Sequence, residues 1–347
     1  MSELKPWIPK TKPYAYVQML SEVEDYNLKM MNIPLMWATT KGKGIRVAVL
    51  DTGTPTHDDV PVKGKFSCVP NYMYDENGHG TASASVIGAI AGNGMGVAGV
   101  APECELYTCA VLDKNGSGMP DWIASGIRWA VDVAKAHIIN MSLGMTKTPI
   151  SKKLLEACEY ANSQGVVVVA AVGNEHGQVC QPACYPTVIA VGAVNDKQSP
   201  ADFSNMGEEV DFVAGGVDCY MAYLHNGFAK QSGSSFSSPA LAGVAALIMS
   251  EALNRPEPKL LTPDEVHATI QKICVDLQNP GRDFQTGYGI PLFGYTNPEP
   301  NEPGLLMDTK TPSDLALALS KAFTAEALEK LGAECTAASL IRKATNV

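Results

Sequence analysis

Two short segments carry side chains that can act together as a base and its orienting acid. Asp51 follows the apolar run of residues 45–50 and precedes a Thr-Gly turn, which leaves a carboxylate where a buried strand ends. His79 stands between two glycines, whose lack of a Cβ lets other groups approach the backbone closely. Taken alone, the aspartate also suits a turn or a helix cap, and the histidine also suits a hydrogen-bonded structural imidazole.

Ser235 is the candidate nucleophile. It precedes residues 240–249, which are apolar on all sides and predict a buried helix. A hydroxyl at the start of such a helix lies near free backbone N–H groups and the positive end of the helix dipole, where a developing oxyanion is stabilised. An ordinary N-cap serine is the alternative, because four further serines stand in the same segment.

A scaffold must bring these distant residues together, and the intervening sequence predicts one. Residues 45–50, 137–142 and 166–171 are short apolar runs rich in β-branched residues, which is typical of buried parallel strands. Residues 121–135 and 151–163 lie between them and suit crossover helices. This alternation predicts an α/β fold, a doubly wound, mostly parallel sheet flanked by helices, in which ligands bind beyond the carboxyl ends of the strands.

Charge and apolar content exclude several classes of protein. The formal net charge is −10 and no run is rich in Lys and Arg, so neither a nucleic acid nor a membrane surface is an expected partner. No apolar run reaches the roughly 18 residues that cross a bilayer, and the N-terminus lacks the apolar core of a signal peptide, so we expect a cytoplasmic protein. The nine cysteines form no CxxC pair, which favours reduced thiols, and Cys180 with Cys184 alone is not a zinc signature.

The sequence predicts four parts in the chain. Residues 1–20 form an N-terminal extension, and residues 21–296 form the catalytic domain. Residues 297–312 begin with a stretch dense in proline and acidic residues, which predicts a linker. Residues 313–347 carry apolar side chains at helical spacing and predict a helical C-terminal extension, a candidate surface for homo-oligomer formation.

Four segments resemble the signature segments of the subtilisin-like serine proteases. They are Val49-Leu-Asp51-Thr-Gly53, Asn77-Gly-His79-Gly-Thr81, Ala170-Ala-Val-Gly-Asn174-Glu175 and Gly233-Ser-Ser235-Phe-Ser-Ser-Pro239. The resemblance covers residues 41–295 and is closest in outline to the intracellular subtilisins. It implies a subtilisin-like fold and a serine endopeptidase with an acyl-enzyme intermediate, in which Asp51, His79 and Ser235 occur in the subtilisin order. Asn174 is then implied to donate its amide to the oxyanion.

The resemblance also implies a substrate-binding set. A peptide would lie extended between two chain segments, an apolar pocket would lie upstream of the scissile bond, and the primary pocket, without charged walls, would prefer uncharged side chains. The implied residues are Gly116, Ser117, Gly118, Pro120, Ile123, Ser142, Leu143, Gly144, Ala171, Gly173 and Cys180.

A structural calcium ion is implied by the same resemblance, and no organic cofactor is expected. Asp59 and the loop residues Asn93, Met95 and Val97 match positions that hold the ion through carboxylate, amide and backbone oxygens. Glu209 and Asp211 resemble a second, weaker cation site.

Residues 7–10, Trp-Ile-Pro-Lys, resemble the Leu-Ile-Pro-Tyr-like motif that crosses the active site of intracellular subtilisins, with Lys10 departing from the aromatic ending. Ile8 and Pro9 are therefore expected to be autoinhibitory, because a proline has a fixed φ and no N–H and can occupy the cleft without presenting a cleavable bond in register. A flexible terminus is the alternative.

Three other functions fit parts of this pattern less well. A degenerate binding protein is disfavoured by the complete triad and Asn174, and a peptide macrocyclase by the lack of a large insertion that would cap the site. An esterase of the α/β-hydrolase type would need a glycine at Ser237 to complete Gly-x-Ser-x-Gly. A protein or peptide is thus the expected substrate.

Overall fold

The computed structural model describes residues 6–8, 15–19 and 21–296. The chain divides into two compact units, Met1–Tyr295 and Thr296–Val347, and all but one of the described residues belong to the first. Pro9, the predicted linker and the predicted C-terminal helices lie outside the described residues, so these assignments stay predictions.

The described residues form short strands and helices that alternate along most of the chain. The strands are β1 (Ala15–Val17), β2 (Arg46–Asp51), β3 (Val62–Ser67), β4 (Glu105–Ala110), β5 (Ile138–Met141), β6 (Val167–Ala171), β7 (Ile189–Val194), β8 (Phe212–Gly215), β9 (Cys219–Tyr223), β10 (Gly227–Gln231), β11 (Cys274–Val275) and β12 (Ile290–Pro291). The helices are α1 (Tyr26–Met30), α2 (Ile33–Trp37), α3 (His79–Gly88), α4 (Pro120–Asp132), α5 (Lys152–Ser163), α6 (Ser234–Leu253) and α7 (Pro263–Lys272).

The main sheet has seven strands in the order β3-β4-β2-β5-β6-β7-β8, and every neighbouring pair is parallel. β2, β5 and β6 begin one residue later than the three apolar runs predicted, a difference within the usual uncertainty of element ends. A second sheet, β1-β10-β9, is antiparallel.

Helices cover both faces of the main sheet, as the doubly wound prediction requires. One apolar core joins the sheet to α3 and α6, and a second joins its other face to α4 and α5. The buried strands are apolar on both faces because each face is covered by a helical layer. The predicted fold class is confirmed.

α6 is the central helix of the first core and presents Ser235 in its first turn. It is the one helix in the described part of the chain that is long and apolar enough to cross a membrane, but 89% of its apolar window is buried inside the protein. The helix begins at Ser234, six residues earlier than the apolar run indicated. Pro239 lies inside it and lacks the N–H that would normally donate to the Ser235 carbonyl four residues before. Ser142 Oγ donates to that carbonyl instead, at 2.8 Å.

Candidate active site

Asp51 and His79 meet at the carboxyl edge of the main sheet. Asp51 is the last residue of β2, and His79 is the first residue of α3, which Gly78 initiates with a φ of +96° that glycine tolerates best. Both side chains are buried, and His79 Nδ1 lies 2.7 Å from Asp51 Oδ1. Asp51 also accepts from the Thr52 backbone N–H at 2.7 Å and from Ser83 Oγ at 3.1 Å. Three neighbours therefore hold this carboxylate in one orientation.

The second ring nitrogen of His79 is available for chemistry. His79 Nε2 is buried and has no hydrogen-bond partner among the described residues. The Ser235 hydroxyl donates to the Ser142 carbonyl at 3.3 Å, a long bond. Catalytic hydrogen bonds are often long or absent before substrate binds, so this arrangement leaves His79 Nε2 able to accept a proton.

Asn174 supplies a second unpartnered buried atom at the same place. Its Oδ1 accepts from the Ser234 N–H and the Ser234 hydroxyl, each at 2.8 Å, which fixes which way the amide points. Its Nδ2 is buried without a partner among the described residues. A buried donor without an acceptor is costly, so this amide has a hydrogen bond available for an oxygen atom that enters the site.

Residues 6–8 lie between the two segments that the resemblance assigned to substrate. Trp7 exchanges hydrogen bonds with Gly144, its N–H donating at 2.8 Å and its carbonyl accepting at 3.0 Å. The Ile8 N–H donates to the Gly116 carbonyl at 3.1 Å, and the Gly118 N–H donates to the Pro6 carbonyl at 3.1 Å. The N-terminal segment thus adds a strand in the manner of an extended peptide.

The remaining substrate-binding predictions fall into two places. Ile123 and Leu143 are fully buried in the second core, against which Trp7 and Ile8 pack, and Pro120 opens α4 beside them. Ala171 ends β6, and Gly173 approaches Cys180 closely, since a Cβ on this glycine would lie 2.9 Å from Cys180 Sγ. Burial raises the pKa of the Cys180 thiol to about 12, so this thiol is neutral.

Glu175 places a carboxylate beside the residues that were predicted to wall the primary pocket. Its Oε2 accepts from the Asn174 N–H at 2.9 Å and from Asn205 Nδ2 at 3.1 Å. The same oxygen lies 4.0 Å from Cys180 Sγ and 2.9 Å from where a Cβ on Gly173 would stand. Sequence reasoning missed it because a residue following Asn174 on an exposed loop gives no signal of the direction its side chain takes.

Asp75 is a second residue that sequence reasoning missed. Its Oδ1 accepts from Thr52 Oγ1 and from the N–H groups of Asn77 and Gly78, at 2.9 to 3.0 Å. Its Oδ2 accepts from both the N–H and the hydroxyl of Thr81, each at 2.7 Å. This buried carboxylate therefore ties the start of α3, and with it His79, to the turn that follows Asp51. Asp75 stands only four positions before His79, a spacing that could have suggested that it supports the start of the helix.

The predicted calcium residues gather around Asp59. Asn93 Nδ2 donates to Asp59 Oδ1 at 2.6 Å, and the Val97 N–H donates to Asp59 Oδ2 at 3.2 Å. Met95 lies between them in the loop, and Glu22, which was not predicted, accepts from the N–H groups of Gly92 and Asn93. Burial raises the pKa of Asp59, and a cation beside it would favour its charged form.

Glu209 and Asp211 do not share a site. Glu209 pairs with Lys147, whereas Asp211 lies 3.1 Å from Arg282 and accepts from the Ala190 N–H at 2.9 Å. Within the described ranges, no group of three or more His, Cys, Asp and Glu side chains is placed to hold a metal ion. The second cation site therefore has no support in the arrangement of these two carboxylates.

Three features lie at one edge of a parallel doubly wound sheet: a buried Asp-His pair, a serine in the first turn of a central helix, and an asparagine whose Nδ2 has no partner among the described residues. This arrangement is typical of the subtilisin type of serine peptidase. The chain belongs to the subtilase family, whose profile matches residues 42–289.

Several curated proteases are similar to this chain. The minor extracellular protease Epr of Bacillus subtilis strain 168 is 40% identical over 272 residues, which are 77% of this chain and 41% of that protein. The thermostable alkaline protease of Halalkalibacterium halodurans is 45% identical over 213 residues, covering 60% of this chain and 58% of its own. The intracellular serine protease of Paenibacillus polymyxa is 37% identical over 284 residues, covering 77% and 86%. The chain thus spans less than two thirds of the first two relatives.

Proposed function

We propose that this chain is a serine endopeptidase that hydrolyses protein or peptide substrates through Asp51, His79 and Ser235. The observation that carries the proposal is a buried imidazole with one nitrogen 2.7 Å from a carboxylate oxygen and the other without a partner among the described residues. Such an imidazole can take a proton from a nucleophile and return it to a leaving group. Membership of the subtilase family and the proteases that resemble the chain support the same activity.

The proposed reaction has two steps at Ser235. His79 Nε2 takes the hydroxyl proton as Ser235 Oγ attacks the peptide carbonyl, and it then protonates the departing amine, which leaves an acyl-enzyme. Water repeats the sequence and releases the acid. Asn174 Nδ2 donates to the oxyanion in both steps, while Asp51 holds the imidazole tautomer and stabilises its protonated form.

An active-site label tests this proposal. A fluorophosphonate should attach to Ser235 of the full-length protein, and mass spectrometry of the digest should locate it there. Ser235→Ala should abolish both labelling and peptide hydrolysis. Ser237→Ala is the matched control, because Ser237 lies in the same turn but donates to the Ser234 carbonyl at 3.0 Å, and it should retain labelling. Labelling at another residue, or hydrolysis by folded Ser235→Ala, would contradict the assignment.

The primary specificity proposed is for uncharged side chains. Buried apolar walls and a neutral thiol at Cys180 favour them, and the Glu175 carboxylate repels an acidic side chain. Among peptides that differ only at the residue before the scissile bond, those with an apolar residue there should be cleaved faster than those with an acidic residue. Glu175→Gln should improve cleavage after Glu while leaving cleavage after an apolar residue unchanged. Preference for an acidic residue in the parent protein would refute the proposed specificity.

We further propose that the N-terminal segment inhibits the enzyme by occupying the substrate groove. Four main-chain hydrogen bonds between residues 6–8 and the groove support this role. Pro9 follows directly in the sequence and has no N–H to donate.

A second contact beyond the groove supports the same role. β1 pairs antiparallel with β10, which leads into α6 and Ser235. Tyr16 stacks edge-on against Tyr223, whose hydroxyl donates to the Asn77 carbonyl two residues before His79. The extension is therefore held at two places, between Gly116 and Gly144 and against β10.

Truncation separates this proposal from a flexible terminus. Deleting residues 1–16 should raise the initial rate on a peptide substrate and remove any lag. Deleting residues 1–5 is the control, because it keeps the segment that bonds to Gly116 and Gly144, and it should leave the lag in place. Equal initial rates for all three proteins would show that the segment does not inhibit.

The calcium proposal rests on the kinds of atoms gathered at Asp59. The Asp59 carboxylate, the Asn93 amide and main-chain carbonyls are oxygen ligands of the kind that Ca²⁺ prefers, and Glu22, which accepts from the Asn93 N–H, adds a second carboxylate. Asn93 Nδ2 and the Val97 N–H face Asp59 in this structure, so the proposed ion would require the loop to present its oxygens there instead. When bound, it would supply positive charge that holds the loop of residues 92–97 against Asp59 and takes no part in the reaction.

A further inference from the structure

Two cysteines on neighbouring strands are in contact. Cys68 comes directly after β3, and its N–H donates to the Ala110 carbonyl of β4 at 2.9 Å, which holds it beside Cys109. The two sulfur atoms are 3.8 Å apart. Cys109 is fully buried, whereas Cys68 is half-buried, so a small solute can reach Cys68 but not its neighbour.

Cys68 differs from the other described cysteines in its acidity. The Cys68 and Cys109 sulfur atoms share a hydrogen bond, and this contact lowers the pKa of Cys68 below that of an ordinary thiol. The same contact and burial raise the pKa of Cys109. Burial also raises the pKa of six further cysteines, Cys104, Cys158, Cys180, Cys184, Cys219 and Cys274. An acidic, reachable thiol in contact with a second thiol is the usual arrangement of a redox-sensitive pair.

We infer that Cys68 and Cys109 form a dithiol that hydrogen peroxide oxidises to a disulfide between the end of β3 and β4. The Cys68 thiolate attacks one peroxide oxygen, the O–O bond breaks, and the hydroxide released leaves as water, giving a sulfenic acid on Cys68. The Cys109 sulfur then attacks the Cys68 sulfur, an S–S bond forms, and the S–O bond breaks. The hydroxide released in this second step takes the proton from Cys109 and leaves as water. Two thiols and one peroxide become one disulfide and two waters, with two electrons passing to the peroxide.

The bond would join an edge strand to the body of the sheet. β3 pairs only with β4 in the described part of the main sheet, so it is one of the two edge strands, which separate more readily than the central strands. The side chains must close the sulfur separation from 3.8 Å to the roughly 2.05 Å of a disulfide. The disulfide would close a loop of 41 residues in the unfolded chain, and the lost chain entropy should raise Tm by about 5 to 10 °C.

Thiol mapping and thermal unfolding test the inference in the full-length chain carrying Ser235→Ala, which prevents self-digestion. The protein is treated with a small excess of hydrogen peroxide, its free thiols are blocked with N-ethylmaleimide, and a digest is analysed by mass spectrometry. A linked peptide that contains Cys68 and Cys109 and is two hydrogens lighter than the two separate peptides is expected. Dithiothreitol should remove both the link and the rise in Tm.

Two variants sharpen the test. Cys68→Ser should give no link and no peroxide-dependent rise in Tm. Cys184→Ser is the matched control, because Cys184 is also half-buried but its pKa is raised, and it should keep both effects. A sulfinic acid on Cys68 with Cys109 still reduced would overturn the inference. A disulfide between two other cysteines, with Cys68 still a free thiol, would also overturn the inference.

Discussion

Replacing Asp75 tests how His79 is held in place. Asp75 accepts five hydrogen bonds, of which those from the Gly78 and Thr81 N–H groups come from buried atoms at the start of α3. In Asp75→Ala these two N–H groups lose their acceptor, whereas the two hydroxyls can turn elsewhere and the half-buried Asn77 N–H can reach water. The first turn of α3, which begins with His79, then keeps the bond from the Gly80 N–H to Thr52 Oγ1 at 2.8 Å but loses the carboxylate that also holds Thr52 Oγ1.

The expected loss follows from the two stranded donors. Each buried unsatisfied N–H costs about 1 to 3 kcal/mol, so Asp75→Ala should lose about 4 kcal/mol of unfolding free energy. For a domain of this size such a loss lowers Tm by roughly 7 °C. A shift of about 1 Å in His79 would cost on the order of 100-fold in kcat/KM, because the reacting groups must be closely aligned.

Urea unfolding of Asp75→Ala in the Ser235→Ala background measures the loss of unfolding free energy. Peptide hydrolysis by Asp75→Ala in the otherwise unaltered enzyme measures the loss of kcat/KM. Asp283→Ala is the matched control. Asp283 accepts three similar bonds, from the N–H groups of Gln285 and Thr286 and the Thr286 hydroxyl, and none of them reaches the triad. This variant should lose stability but keep its kcat. An unchanged urea midpoint for Asp75→Ala, or an equal fall in kcat for Asp283→Ala, would refute the reasoning.

Three further outcomes are expected. Asn174→Ala should lower kcat by about 10² to 10³ with little change in KM, which is the known size of the loss for the oxyanion-hole asparagine of subtilisin. Steady-state kinetics measures both constants, and a change in KM alone would exclude Asn174 as an oxyanion donor. Excess chelator should lower Tm, and added Ca²⁺ but not Mg²⁺ should restore it, because an ion held at Asp59 only by the folded state adds its binding free energy to folding. A Tm that changes with neither chelator nor Ca²⁺ would contradict the proposed ion. Burial and the neighbouring Arg46 lower the pKa of His137 to about 4 in the folded protein. As pH falls from about 6.5, the unfolded chain protonates this histidine before the folded protein does, so the free energy of unfolding should fall until the pH is below about 4. His137→Gln should weaken that dependence in urea unfolding at several pH values, and identical pH curves would count against it.

Local patterns were enough to predict the fold. The strands of a parallel sheet are buried on both faces, so β2, β5 and β6 appear in the sequence as continuous apolar runs that need no tertiary information to recognise. The start of α6 was predicted less well than the starts of α4 and α5. α6 begins at Ser234, earlier than the apolar run indicated. Its first turn is polar in sequence although it is fully buried against Asn174 and Ser142, so the apolar run alone could not include it.

The sequence by itself determined which residues we propose for the chemistry, because Asp51, His79 and Ser235 each stand in a short motif whose glycines or apolar neighbours are encoded within a few positions. Only the tertiary structure decided how they are supported. Glu175 turns toward Cys180, and Cys68 meets Cys109, through side-chain directions and strand pairing between residues up to 41 positions apart. Such contacts depend on the packing of the whole sheet, so no local pattern of residues can specify them.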